Sequence, residues 1–236
     1  MDKETEDRLE EIQLFFLRLI LRVPVSTPKA SLRWETGVMS MKHRVEKEKL
    51  MLIHHIKQLD ERTLANQVYK EQIKYDWPGL ARECKEICDR LNIDNVNVTE
   101  CPKDEYKKWI LKNCRREDEL AMREKMEGKT KTKDLVTESF QTKKYFKEKS
   151  LSRTRELFRI RTNMNELRGN FKGNVKREPT GSMCVACGRE DEVNSHVMKC
   201  EEYAELRRDK DLSNNMDLVD YFREVMRRRD RKMNRI

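Results

Sequence analysis

Long apolar runs are missing from this chain, as are most of the residues that build turns. The longest apolar stretch, Ile12 to Val23, is broken by Arg18 and Arg22, too polar to cross a membrane. The start, Met1 to Glu11, is acidic where a signal peptide would carry positive charge. These features predict a soluble, intracellular protein of the nucleus or cytoplasm, with no membrane partner. Seven Gly and five Pro in 236 residues are too few for a sandwich or barrel made of many turns. No Gly-rich phosphate loop occurs, and Ser, His and Asp fall into no nucleophilic arrangement, so no small-molecule substrate is expected. There is no Asp-Asp pair either, and polymerases need clustered carboxylates to hold two divalent metals.

What is present points to helix. Charged residues make up 40% of the chain against 36% hydrophobic ones, and the usage of Glu, Lys, Arg, Leu and Met favours helix. The expected fold is all-α, an irregular helical assembly with a small C-terminal module. Charge divides the sequence into three. Residues 1–128 carry 25 basic and 25 acidic side chains, 129–177 carry 15 and 5, and 178–236 carry 12 and 13. The net charge of +9 therefore resides in the middle stretch. A helical domain over 1–128, a basic helical connector over 129–177 and a metal-binding module over 178–236 are the expected divisions.

Apolar spacing predicts the helices. Ile12, Phe15, Phe16, Leu19, Ile20 and Val23 share one stripe of a helix from about Thr5 to Arg22, which Pro24 and Pro28 end. A second helix from about Met41 to Lys57 sets Val45, Leu52, Ile53 and Ile56 toward a core, and Leu64, Val68 and Ile73 mark a third. Pro78 suits the first position of a fourth, in which Leu80, Cys84, Ile87, Cys88 and Leu91 form the buried stripe. Tyr106, Trp109, Ile110, Cys114 and Leu120 suggest a fifth. In the basic stretch, Leu157, Ile160, Met164 and Leu167 line the core side of a helix from Ser150 to Arg168, closed by Gly169 and Gly173. Its other side is cationic. Lys129, Lys131, Lys133, Lys143, Lys144, Arg153, Arg155, Arg159, Arg161 and Arg168 are the candidate contacts to nucleic acid, because phosphate neutralisation by clustered Lys and Arg releases condensed counterions.

Weaker signals have plain structural readings. Glu105 and Lys107 show a nuclease-like Glu-x-Lys spacing, but Asp104 and Glu105 at the start of a helix simply favour its dipole. His54 and His55 point to different sides of their helix, one packed and one exposed. Cys84, Cys88, Cys101 and Cys114 match no compact finger, and the first two already belong to a core stripe. The terminal run Arg227, Arg228, Arg229, Arg231 and Lys232 can end a helix, touch nucleic acid or serve as a nuclear signal.

The sharp motif is Cys184-Val-Ala-Cys187, eight residues, then His196-Val-Met-Lys-Cys200. Three thiolates and an imidazole, paired close in sequence, suit a tetrahedral Zn²⁺ site. Four protein ligands leave no position for water, so the predicted zinc is structural. Its surroundings are acidic, with five basic and eleven acidic side chains over 178–222. The segment is therefore a poor phosphate clamp and reads as a staple that supplies folding energy.

The run Ser26 to Arg44 with Trp34 and Gly37, the later Lys49 to Ile56, the Trp77-Pro78-Gly79 turn running on to Cys84, and the Cys/His motif followed by Tyr203 to Arg207 resemble the carboxyl-terminal region of non-LTR retrotransposon reverse transcriptases. The resemblance covers about Leu9 to Arg229. It implies thumb-like and connecting helices ending in a zinc-binding segment, and nucleic-acid handling during target-primed reverse transcription. The chain departs from that family in lacking the catalytic palm and its aromatic-x-Asp-Asp sequence, the amino-terminal endonuclease and any terminal nuclease. Ser40 and Glu201 stand where the family often has Pro. The expected function is a non-catalytic fragment that contacts RNA or an RNA/DNA hybrid through its basic helix. The alternative is a protein-interaction module docking onto a partner such as the polymerase body, with Phe15, Phe16 and Leu19 exposed.

Overall fold

A computed structural model describes residues 2–93, 101–127, 135, 137–148, 150–171 and 181–233. Ten α-helices occur among the described residues, with three short 3-10 turns and no strand; Met183 and Asp191 form an isolated antiparallel bridge. The all-α expectation holds. Two compact units emerge. The first contains Met1–Phe15 and Gly37–Lys125, the second Phe16–Thr36 and Met126–Ile236. The described part of α7 and the Cys/His segment fall in the second unit, together with Phe16–Thr36.

In the first unit, α1 (Lys3–Leu21) contributes its amino-terminal part, followed by α3 (Met41–Gln58), α4 (Leu64–Lys74), α5 (Leu80–Leu91) and α6 (Lys103–Glu127). Leu50 and Ile53 of α3 meet Cys84, Ile87, Cys88 and Leu91 of α5 and Tyr106, Ile110 and Cys114 of α6 in one core. Cys84 and Cys88 are core thiols as their spacing predicts. His54 is buried, stacks on Tyr106 with ring centroids 5.0 Å apart and hydrogen-bonds Cys101 O at 3.0 Å, whereas His55 is exposed. Ser40 caps α3 by accepting from His43 N, and its own backbone N–H donates to the buried carboxylate of Asp118 at 2.9 Å, tying the start of α3 to α6.

Several apolar positions that periodicity assigned inward face solvent. Leu52, Leu64, Val68, Ile73 and Leu120 are exposed. Periodicity identifies a stripe, but the width of the partner surface decides how much of it is covered. Pro78 precedes Gly79, the N-cap of α5, rather than occupying the first helical position.

The second unit receives the end of α1, then α2 (Lys29–Thr36), α7 (Leu151–Arg161), α8 (Asn194–Val197), α9 (Ala204–Arg207) and α10 (Asn215–Met233). Spacing did not announce α2. It buries Trp34, whose Nε1 donates to Leu135 O at 2.8 Å, and Glu35, fully enclosed, which accepts from Tyr145 Oη at 2.6 Å and Arg161 Nε at 2.8 Å. Helix α7 packs against α10; Leu157, Phe158 and Ile160 of the first and Val219, Phe222 and Val225 of the second are buried.

Two expectations for this region need correction. The α7 helix stops at Arg161, and the chain turns through Thr162 and Asn163, the latter at φ 55°. Gly169 does not close it; a Cβ there would lie 2.8 Å from Val193 Cγ1 and 3.0 Å from the Glu192 backbone, so glycine permits a close backbone approach. Gly173 lies outside the described residues. The expected stripe on α1 is not the buried one: Ile12, Phe15, Phe16, Leu19 and Ile20 are at least half exposed, Val23 beyond the helix is buried, and the inward residues of α1 are Leu14 and Leu21.

Candidate metal centre and basic helix face

Cys184 and Cys187 sit on a turn that Gly188 closes at φ 66°, with Gly188 N donating to Cys184 O at 2.8 Å. Cys184 N in turn donates to Glu190 O at 2.7 Å, folding the loop back beside the turn. His196 is carried by α8. The helix ends at Val197, but Cys200 N still donates to His196 O at 2.7 Å, which returns Cys200 to the same side. The three Sγ atoms and the imidazole nitrogen all lie within 4.8 Å of one another, a set that could hold a metal ion. Among the described residues no second group of this kind forms, and Cys84, Cys88, Cys101 and Cys114 are not such a cluster.

The donor chemistry suits a cation. Arg189 N–H approaches Cys187 Sγ at 3.5 Å, and His196 Nε2 lies 3.3 Å from the same sulfur. Burial works to raise the Cys187 pKa; the Arg189 N–H and the neighbouring Cys184, Cys200 and His196 outweigh it and bring the thiol to about 7. Burial pushes the Cys184 and Cys200 thiols up. A divalent cation would reverse that preference and favour all three thiolates. His196 Nδ1 lies 3.0 Å from Glu190 Oε2, the carboxylate-histidine arrangement that orients an imidazole with Nε2 toward a metal.

Behind the cluster lies Glu192, a residue sequence reasoning passed over. Its side chain is fully enclosed; Oε2 accepts from Arg168 N and from Arg229 Nε, each at 3.0 Å, and Oε1 accepts from Val185 N at 3.2 Å. The acid thus joins the Cys184–Cys187 turn to α10 and to the 3-10 turn Arg168–Phe171. No spacing rule marks one acid among eleven.

The basic candidates separate into distinct environments. Lys129, Lys131 and Lys133 lie outside the described residues. Lys143 is buried, bonded to Ser139 O at 2.8 Å and paired with Glu138 at 3.0 Å, and Arg161 holds both Glu35 and Glu138. Burial works to lower the Arg161 pKa, and the hydrogen bonds and charge of Glu35, then of Glu138, outweigh it and hold it above the ordinary guanidinium value. Both cations are thus engaged by carboxylates within the fold. Arg168 donates to Met233 Sδ at 3.4 Å, and Arg153 lies 3.8 Å from Asp220. Lys144 is exposed on the 3-10 turn Lys144–Lys147. Among the described residues, Arg155 and Arg159 bond only backbone carbonyls, Ile20 O at 2.7 Å and Arg22 O at 2.5 Å.

The terminal basic run is largely engaged within the fold. Arg227 pairs with Glu224 at 3.3 Å, Arg228 with Glu205 at 3.1 Å, Arg229 with Glu192, and Lys232 donates to Ala186 O at 2.6 Å. No helix among the described residues is long and apolar enough to cross a membrane. No family model matches the chain, and neither a curated protein nor a solved structure matches it.

Proposed function

We propose that this is a non-enzymatic nucleic-acid-binding chain that holds the backbone of RNA or an RNA/DNA hybrid on the basic face of α7, beside a segment folded around a structural zinc ion. The pairing pattern on α7 carries the reading. Arg153 and Arg161 approach carboxylates, whereas Arg155 and Arg159 bond carbonyls and keep their charge unneutralised. Guanidinium groups without a carboxylate partner favour phosphate, to which they can present paired N–H donors. The sequence resemblance to the carboxyl-terminal region of non-LTR retrotransposon reverse transcriptases agrees with such a role. Zinc is the proposed metal because three sulfurs and one imidazole make a closed tetrahedral set of borderline-soft donors.

The test is binding of the full chain to single-stranded RNA, duplex RNA, an RNA/DNA hybrid and DNA over a salt series. Neutralising about five phosphates gives a logarithmic salt slope of about −4.5 on a duplex and a shallower one on a single strand. Binding that ignores salt, or that is unchanged by replacing Arg155 and Arg159 with Gln, refutes the reading.

One observation favours a second reading, a module that docks onto a protein partner such as a polymerase body. Phe15 and Leu19 of α1 are each 60% exposed, and Ile12, Phe16 and Ile20 extend the same stripe. Exposed apolar stripes of this kind mark interaction surfaces. Sedimentation of the full chain without nucleic acid tests it: self-association abolished by Leu19→Ser supports docking, and a clean monomer at high concentration opposes it.

A further inference from the structure

Three arginines from two distant stretches of sequence gather in the second unit. Arg155 and Arg159 lie one turn apart on α7 and reach the carboxyl end of α1, bonding Ile20 O and Arg22 O. That end of a helix leaves acceptors unused and gathers partial negative charge, which explains why guanidinium groups settle there. Arg22 follows α1 immediately, exposed and at φ 51°. Its side chain has no hydrogen bond or ion pair among the described residues.

The three groups are close enough to feel one another. Partial desolvation first, then the charges of Arg22 and Arg159, hold the Arg155 pKa below its ordinary value. Like charges so placed repel unless a counter-charge arrives. Among the described residues no carboxylate comes within ion-pair distance of any of the three. The nearest acid in sequence, Glu156, is drawn off by Arg223 of α10 through hydrogen bonds of 2.5 and 3.0 Å. Arg153 and Arg161 on the same helix each have an acid beside them. Arg155 and Arg159 each commit a single nitrogen to a carbonyl, which leaves most of their N–H donors for a ligand.

We infer that Arg22, Arg155 and Arg159 form one anion site that seats consecutive phosphodiesters of a nucleic-acid strand. The inference rests on the nucleic-acid reading above and adds to it a residue from outside the basic stretch 129–177. A single carboxylate would engage one guanidinium fork, whereas three forks suit the oxygens and charge of adjacent phosphates.

Arg22 is the decisive position, because its side chain makes no hydrogen bond or ion pair among the described residues and its replacement spares the bonds of Arg155 and Arg159. The experiment measures binding of a fluorescein-labelled single-stranded RNA to the full chain by anisotropy over a salt series, with thermal midpoints taken alongside. R22Q weakens binding by about five-fold and makes the salt slope shallower by about 0.7, the loss of one phosphate contact on a single strand. R22K restores the slope, R22E weakens binding further by neutralising its two neighbours, and R153Q leaves the slope unchanged. Wild-type binding that R22Q leaves intact in both affinity and slope overturns the three-arginine site while the α7 reading stands. Failure of the wild-type chain to bind any nucleic acid overturns both. A phosphoserine peptide of equal charge that binds as tightly as RNA, and suffers equally from R22Q, moves the site to a phosphorylated protein and overturns the nucleic-acid assignment.

Discussion

Arg229 Nε donates to Glu192 Oε2 at 3.0 Å, and both side chains are enclosed. This pair joins the last helix of the chain to the loop between Cys187 and His196, so the candidate metal segment is built into its unit instead of hanging from it. Removing one member leaves a buried charge without its counter-charge. Arg229→Met is expected to cost about 3–5 kcal/mol in chemical denaturation, and the double variant with Glu192→Gln to recover part of that. Equal stability of Arg229→Met and wild type would show that the pair contributes nothing.

Metal removal is expected to act locally. Purified chain should carry one zinc, and a chelator should unfold the segment 178–222 while the helices before Gly128 stay largely folded. Hydrogen exchange read by mass spectrometry separates the two regions. Cys200→Ser should reproduce the chelator pattern, and protection of residues 181–222 that persists in metal-free protein contradicts the site.

Glu190 should matter to metal affinity although it is exposed. Its Oε2 lies 3.0 Å from His196 Nδ1, and a carboxylate there fixes which imidazole nitrogen faces the ion. Glu190→Gln is expected to weaken metal binding by about 10- to 100-fold in a competition titration, with helicity unchanged. A variant that binds as tightly as wild type removes Glu190 from the role.

Alkaline pH should loosen the first unit. Burial pushes the Cys84 and Cys114 thiols up to about 12 from an ordinary 9.0, and the Tyr69 hydroxyl up to about 12 from 10.0. The folded chain keeps these protons over a range in which the unfolded chain releases them. Stability is therefore fully present below pH 9 and falls as pH rises from about 9 to about 12. Urea midpoints across that window measure the loss, and Cys84→Ala with Cys114→Ala should flatten the slope even if it lowers the plateau.

Much of this molecule was legible one helix at a time. The Leu80 to Leu91 spacing marks α5 because a single narrow stripe is buried against helices on one side, and Ser150 marks the start of α7 because its hydroxyl accepts from Arg153 N. The Cys/His spacing was equally direct, since close pairs of ligands can converge through local turns alone. The short helix α2 escaped because Trp34 and Glu35 are buried by groups more than a hundred residues away, among them Leu135 and Tyr145. Charge shows the same divide. Sequence by itself determined that residues 129–177 hold ten more basic than acidic side chains. Only tertiary structure decided which of those cations Glu35, Glu138 and Asp220 would engage, and that the backbone of Arg22 would meet Arg159. The physical reason is range: helix periodicity and ligand spacing act within a few turns of chain, whereas neutralisation of a charge depends on whichever distant residue folding brings within a few ångströms.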